Sequence, residues 1–85
     1  MKLNPRDPEA LTNRGLAHLK RGALDKSIED YNTALRLDPR LAAALYGRAV
    51  AKRKVGDAEG AAADLASARA INPTIAEEFS LFGIE

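Results

Sequence analysis

The residues best suited to chemistry in this 85-residue chain are a single histidine and two short basic clusters. A general base needs a partner side chain and a cleft, and the pattern around His18 offers neither. We therefore expect His18 to be packed or half-exposed. Serine is absent from any nucleophile-elbow context, and the glycines form no phosphate-binding loop. The sequence predicts a protein that is not an enzyme and needs neither a cofactor nor a metal.

The basic clusters, at 20–21 and 52–54, come at the ends of two predicted helices. Cations there complement the helix dipole and are commonly solvated, which is the favoured explanation. Alternatively, the two clusters meet at one edge and attract an acidic peptide or a phosphate group. The acidic pairs Glu29-Asp30 and Glu77-Glu78 face different directions on helices, and we expect them to be solvated.

Composition narrows the class of protein further. Apolar residues make up 46% of the chain, the net charge is +1 and cysteine is absent. This charge gives no global attraction to nucleic acid or to an anionic membrane, and no apolar run approaches the ~20 residues of a membrane span. We expect one compact domain that binds neither nucleic acid nor a membrane. The segment 1–7 resembles the tail of a preceding repeat, which suggests a C-terminal fragment of a longer protein.

A 34-residue period organises the chain. One period on from Gly22, Ala34 and Pro39, the same residue types recur as Gly56, Ala68 and Pro73. A fixed period of this size is typical of a solenoid, in which each unit stacks on its neighbour.

Within each unit, apolar spacing predicts two antiparallel helices. The predicted helices run from Asp7-Pro8 to Gly22, and over about 24–37, 41–55 and 58–71, with a fifth opened by Thr74. The predicted division is the end of a preceding repeat (1–7), repeat 1 (8–41), repeat 2 (42–75) and a capping helix (76–85). Thr74 and Glu77 fit a capping box at the start of the last helix.

These residues resemble the tetratricopeptide repeat family. The matching residues of repeat 1 are Leu11, Gly15, Gly22, Tyr31, Ala34 and Pro39, and those of repeat 2 are Leu45, Ala49, Gly56, Ala61, Ala68 and Pro73. Arg14 and Arg48 depart from the family pattern, which usually has Leu there. The resemblance implies an all-α, right-handed solenoid of two helix-turn-helix repeats.

The resemblance also implies protein–protein interaction. In this family the first helices of successive repeats line a concave groove that binds a peptide. Carried over by register, the candidate site has an apolar part and a polar part, namely Leu16, Tyr46 and Val50, and Asn13, Lys20 and Arg53. An ordinary helix surface is an equally good interpretation of these residues. Two other functions remain open: homo-oligomerisation through exposed repeat ends, where Leu24 and Ile28 would be bared, and a substrate-docking arm of a larger enzyme.

Overall fold

The computed structural model describes residues 6–80, and within them it contains five α-helices. The helices are α1 (Pro8–Lys20), α2 (Leu24–Leu37), α3 (Ala42–Lys54), α4 (Ala58–Ile71) and α5 (Ile75–Ser80). The all-α prediction is confirmed, and the first four helices begin and end close to their predicted bounds. The part of the predicted capping helix in 81–85 lies outside the described residues.

The turn between α1 and α2 shows why the chain reverses there. Asp7 caps the start of α1, because its Oδ1 accepts hydrogen bonds from the backbone N–H groups of Glu9 and Ala10. At the other end Gly22 has φ +79°. The N–H of Ala23 then donates to the carbonyl of His18 at 2.9 Å, and that of Gly22 donates to Leu19 at 3.1 Å. This Schellman motif closes the helix and leaves room only for an antiparallel return.

The same device recurs one period later. Gly56 has φ +94°, and the N–H of Asp57 donates to the carbonyl of Lys52 at 2.8 Å. Asp57 also caps α4, because its Oδ1 accepts from the N–H of Gly60 at 2.9 Å. The predicted N-cap at Asp57 is confirmed, and α3 and α4 form a second antiparallel pair.

Small residues allow the helices of the stack to approach closely. Ala34 and Ala68 are fully buried at equivalent positions of α2 and α4. Tyr31 is also fully buried, and its ring fills the space beside two glycines. A Cβ atom on Gly15 would lie only 3.0 Å from the Tyr31 ring, and one on Gly47 would overlap it. Tyr31 therefore fixes how α1 and α3 cross α2.

The helix pairs stack in chain order. α3 packs against α2 and α1, and α5 packs against α3 and α4. The first helices of successive units, α1, α3 and α5, therefore follow one another along one side. None of the helices within residues 6–80 combines the length and apolar character needed to cross a bilayer.

Side-chain hydrogen bonds hold the turn before α5. Thr74 lies in the turn before the helix, and its Oγ1 is 3.0 Å from a carboxylate oxygen of Glu78. The side-chain amide of Asn72 donates to the same Glu78 oxygen at 2.8 Å. The side-chain oxygen of Asn72 accepts a hydrogen bond from the backbone N–H of Thr74 at 3.1 Å, so Asn72 supplies the side-chain acceptor for a free N–H in this turn.

Candidate functional site

The predicted site residues on α1 lie on two kinds of surface. Asn13 and Lys20 are exposed, and Leu16 is half-buried against the core. Asn13 contributes to a shallow groove of about 250 Å³ between α1 and the start of α3. The other residues that line this groove are Glu9, Thr12, Leu41 and Ala43. The groove therefore presents a mixed polar and apolar surface.

The predicted site residues on α3 are less accessible than the sequence suggests. Tyr46 and Val50 are each only 3% exposed, so they do not form the open apolar patch expected with Leu16. α5 packs against Tyr46, because the ring centroid of Phe79 lies 4.7 Å from that of Tyr46, at an interplanar angle of 51°. Arg53, one turn beyond Val50, is exposed.

Tyr46, Val50 and Arg53 nevertheless come together around one cavity. This cavity, the α3–α4 cavity, has a volume of about 240 Å³. Its wall on α3 consists of Tyr46, Ala49, Val50 and Arg53. Its wall on α4 consists of Ala58, Ala61, Ala62, Leu65 and Arg69. Small apolar side chains thus form most of the lining, and two arginines are the charged members.

Each helix pair contains a partly buried ion pair between its two helices. In the first pair, Nε and Nη2 of Arg14 donate to the two carboxylate oxygens of Asp30 at 2.8 and 2.7 Å. In the second pair, Arg48 makes the same two bonds to Asp64, at 2.7 and 2.8 Å. Such bidentate contacts are the strongest class of side-chain hydrogen bond. The expected solvation of Asp30 is therefore wrong, because this residue is only 6% exposed.

The second ion pair has more partners than the first. Nζ of Lys52 lies 3.0 Å from Oδ2 of Asp64, and Nη1 of Arg48 donates to the side-chain oxygen of Asn32 at 2.8 Å. Burial alone would raise the pKa of Asp64. Hydrogen bonds from Arg48 and Lys52, together with their charges, outweigh burial and lower the pKa of Asp64 below its ordinary value. Lys52 therefore pairs with Asp64 and does not contribute to the predicted cluster of cations at one edge of the stack.

His18 occupies the position in the first pair that Lys52 occupies in the second. Its Nε2 is 3.6 Å from Oδ2 of Asp30, and its Nδ1 is 2.9 Å from Nη2 of Arg21. The histidine is half-buried, as the sequence predicts. Its neighbours orient the imidazole beside the Arg14–Asp30 ion pair, at the side of the first helix pair. This environment is structural and is not a cleft.

The ion pairs are the feature that sequence reasoning missed. The signal was present, because Arg14 and Asp30 recur together one period later as Arg48 and Asp64. In both repeats an arginine replaces the expected Leu, and an aspartate follows at the same distance along the chain. This repeated pair indicates that the same arginine–aspartate contact forms in each helix pair. Among the described residues, no group of three potential ligands is placed to hold a metal ion.

Taken together, the repeated helix pairs and their shared register define an α-helical repeat protein. The family model of the tetratricopeptide repeat matches residues 8–41, and this match supports the assignment of the first helix pair to the tetratricopeptide repeat family. Members of this family are generally protein–protein interaction modules and typically non-catalytic. No curated protein matches the chain.

Proposed function

We propose that this protein is a non-catalytic interaction module that binds a peptide segment of a partner along the side formed by α1, α3 and α5. The observation that carries the proposal is the groove between α1 and α3, because it combines open surface with both polar and apolar side chains. A groove between neighbouring helices suits an extended or helical peptide.

The six candidate residues take different parts in this proposal. Asn13 and Lys20 on α1, and Arg53 on α3, offer polar contacts from exposed positions. Leu16 offers the edge of an apolar side chain. Tyr46 and Val50 are buried, so they support the site by packing beneath its surface. In protein interfaces, a few residues near the centre usually supply most of the binding energy.

A peptide selection on the full chain tests the proposal. Peptides selected from a random library would be labelled, and their affinities measured by fluorescence anisotropy for the unmodified chain and for an Asn13→Ala, Lys20→Glu double variant. We expect the double variant to bind at least about tenfold more weakly, a loss of about 1.4 kcal/mol. The matched control is Lys26→Glu, which makes the same charge change at an exposed position of α2.

Two results would contradict the proposal: a library that yields no binding peptide, or an affinity that the double variant leaves unchanged. We prefer these substitutions to the truncation of Tyr46. Tyr46 packs in the core, so its loss would change stability as well as binding.

Self-association is a second candidate, and one comparison of exposure favours it. Ala44 and Ala51 of α3 are fully buried where α3 lies against the preceding helix pair. Their equivalents on α1, Ala10 and Ala17, are half-buried and exposed. α1 therefore presents a helix-packing stripe, although Leu24 and Ile28 pack partly against the core instead of lying bare. Sedimentation equilibrium over a wide concentration range decides the matter: a rising mass supports self-association, and a strict monomer contradicts it.

A further inference from the structure

The groove between α1 and α3 contains two polar side chains that the fold itself does not use. Glu9 and Asn13 are exposed and line this groove. Within residues 6–80, neither side chain makes a hydrogen bond or an ion pair. One period later the equivalent positions hold Ala43 and Gly47, so the second helix pair forms without polar side chains there. Asparagine is also a poor helix former for the middle of α1, which indicates a role other than folding.

The groove has a polar side and an apolar side. Glu9 and Asn13 are four residues apart on α1, so their side chains are neighbours on one face of that helix. The α3 side of the groove consists of Leu41 and Ala43, which are both half-buried. Thr12 also lines the groove, but its hydroxyl proton is already donated to a backbone carbonyl of α1 at 2.7 Å. The groups open to a ligand are therefore a carboxylate, a carboxamide and an aliphatic surface.

The charge of the groove is negative. Glu9 is the one charged side chain among the described residues that line it. The nearest cations in the sequence, Arg6 and Arg40, are not among those lining residues. At the equivalent position of α5, Glu77 is also exposed and adds a second negative charge to the same side of the protein. The groove therefore favours a cationic group over an anionic one.

We propose that the groove between α1 and α3 binds a lysine side chain of a partner peptide, with its ammonium at Glu9 and Asn13 and its aliphatic stem against Leu41 and Ala43. This inference rests on the proposed function, because it names the chemistry of the peptide that the groove takes. A lysine stem packs along apolar surface while its ammonium stays at the rim. The ammonium has three donors, so it can bind the carboxylate and the carboxamide oxygen together.

The test compares three synthetic peptides that share the core Ala-Leu-X-Leu-Ala and differ only at X. X is lysine, norleucine, which keeps the stem without the charge, or diaminobutyric acid, which keeps the ammonium on a shorter stem. Affinities for the full chain would be measured by NMR titration, which also shows whether the amides of Glu9, Asn13 and Ala43 shift. We expect the lysine peptide to bind about fivefold more tightly than either of the others.

A matched pair of variants tests the charge. Glu9→Gln keeps the shape of the side chain, and it should lower the affinity of the lysine peptide to that of the norleucine peptide. The control is Glu59→Gln, which makes the same change in the first turn of α4 and should leave the preference for lysine intact. In the unmodified chain, this preference should shrink as the salt concentration increases.

A further variant separates the shape of the groove from its charge. Ala43→Leu places a larger side chain on the α3 side of the groove and leaves Glu9 and Asn13 in place. It should weaken the lysine and norleucine peptides alike, by about tenfold, while leaving the circular dichroism spectrum of the chain unchanged.

The inference is overturned if the lysine and norleucine peptides bind equally, or if Glu9→Gln and Glu59→Gln have the same effect. It is also overturned if Ala43→Leu leaves the affinities unchanged, or if the lysine peptide shifts only amides outside the groove. Equal binding of peptides that remain sensitive to the Asn13→Ala, Lys20→Glu double variant would remove this inference and leave the proposed function standing.

Discussion

The two helix pairs share one register but are held together by different interactions. In the first pair, the buried residues of α2 are Ser27, Asp30, Tyr31, Ala34 and Leu35. In the second pair, α4 buries only Ala61, Asp64 and Ala68. Alanine buries little apolar area, so the hydrophobic contribution of α4 is small.

Charged hydrogen bonds take a larger share in the second pair. Asp64 is bound by both Arg48 and Lys52, whereas the equivalent Asp30 has Arg14 and a more distant His18. The side chain of Arg48 is 21% exposed and that of Arg14 is 49% exposed, so solvent screens the first ion pair more strongly. The comparison shows that a repeat can depend less on buried apolar side chains and more on ion pairs. The condition is that small residues remain where its helices cross.

Truncation of equivalent core residues should show the largest difference between the two pairs. We expect Tyr31→Ala to lower the free energy of unfolding by about 3–5 kcal/mol, because a fully buried aromatic ring leaves a cavity. Leu65→Ala should cost only about 1 kcal/mol, because Leu65 is half-buried beside an existing cavity. Urea denaturation followed by circular dichroism measures both, and equal losses would show that the two pairs depend on apolar packing alike.

The ion pairs should show the opposite order. Asp64→Asn keeps the volume but removes the charge that Arg48 and Lys52 share, and we expect a loss of about 1.5–3 kcal/mol. Asp30→Asn should cost less, about 1 kcal/mol, because Arg14 is half-exposed and screened. The same urea experiment compares them. A larger loss for Asp30→Asn would reverse the proposed division between the pairs.

The dependence on pH provides an independent check on Asp64. Because its pKa is lower in the folded state than the ordinary value of 3.8, the unfolded state takes up the proton first as the pH falls. The advantage of the unmodified chain over Asp64→Asn is therefore complete above pH 3.8 and is lost as the pH drops through the lowered pKa. Denaturation curves at neutral and acidic pH should converge at the acidic end. A constant difference across this range would mean that the charge of Asp64 is not its source.

The smallest expected effect concerns the hydroxyl group of Tyr31. Burial raises the pKa of this phenol and outweighs the neighbouring Ser27 hydroxyl, which acts in the opposite direction. The phenol oxygen makes no hydrogen bond of good geometry within the part of the chain that the structure describes. Tyr31→Phe should therefore stabilise the protein by up to about 1 kcal/mol. The control is Ser27→Ala, which removes a buried hydroxyl that does donate, to the carbonyl of Gly15 at 2.8 Å. Thermal unfolding should move upward for the first variant and downward for the second; a downward shift for both would indicate that Tyr31 is hydrogen-bonded in solution.

Much of this fold could be predicted from the sequence because its signals are local. The turns at Gly22 and Gly56 and the cap at Asp57 depend on residues that are close in the chain, so their patterns identify them directly. The burial of Asp30 and of Tyr46 depends on contacts with other helices, which lie far away in the sequence. A repeat pattern places such residues on a helix face, but it does not show which side chain covers them. For this reason the helix that carries each candidate residue could be predicted, whereas the burial of Tyr46 and Val50 could not.

The position of Tyr31 between Gly15 and Gly47 has a consequence for how this protein unfolds locally and refolds. The Tyr31 ring packs against α1 of its own helix pair and against α3 of the next helix pair. The unit that unfolds in one step therefore extends across the boundary between the sequence repeats. Backbone amides of α1 and α3 should exchange with solvent at similar rates, while those of α4 should exchange sooner. We therefore expect α4, which forms one wall of the α3–α4 cavity, to open before α1 and α3.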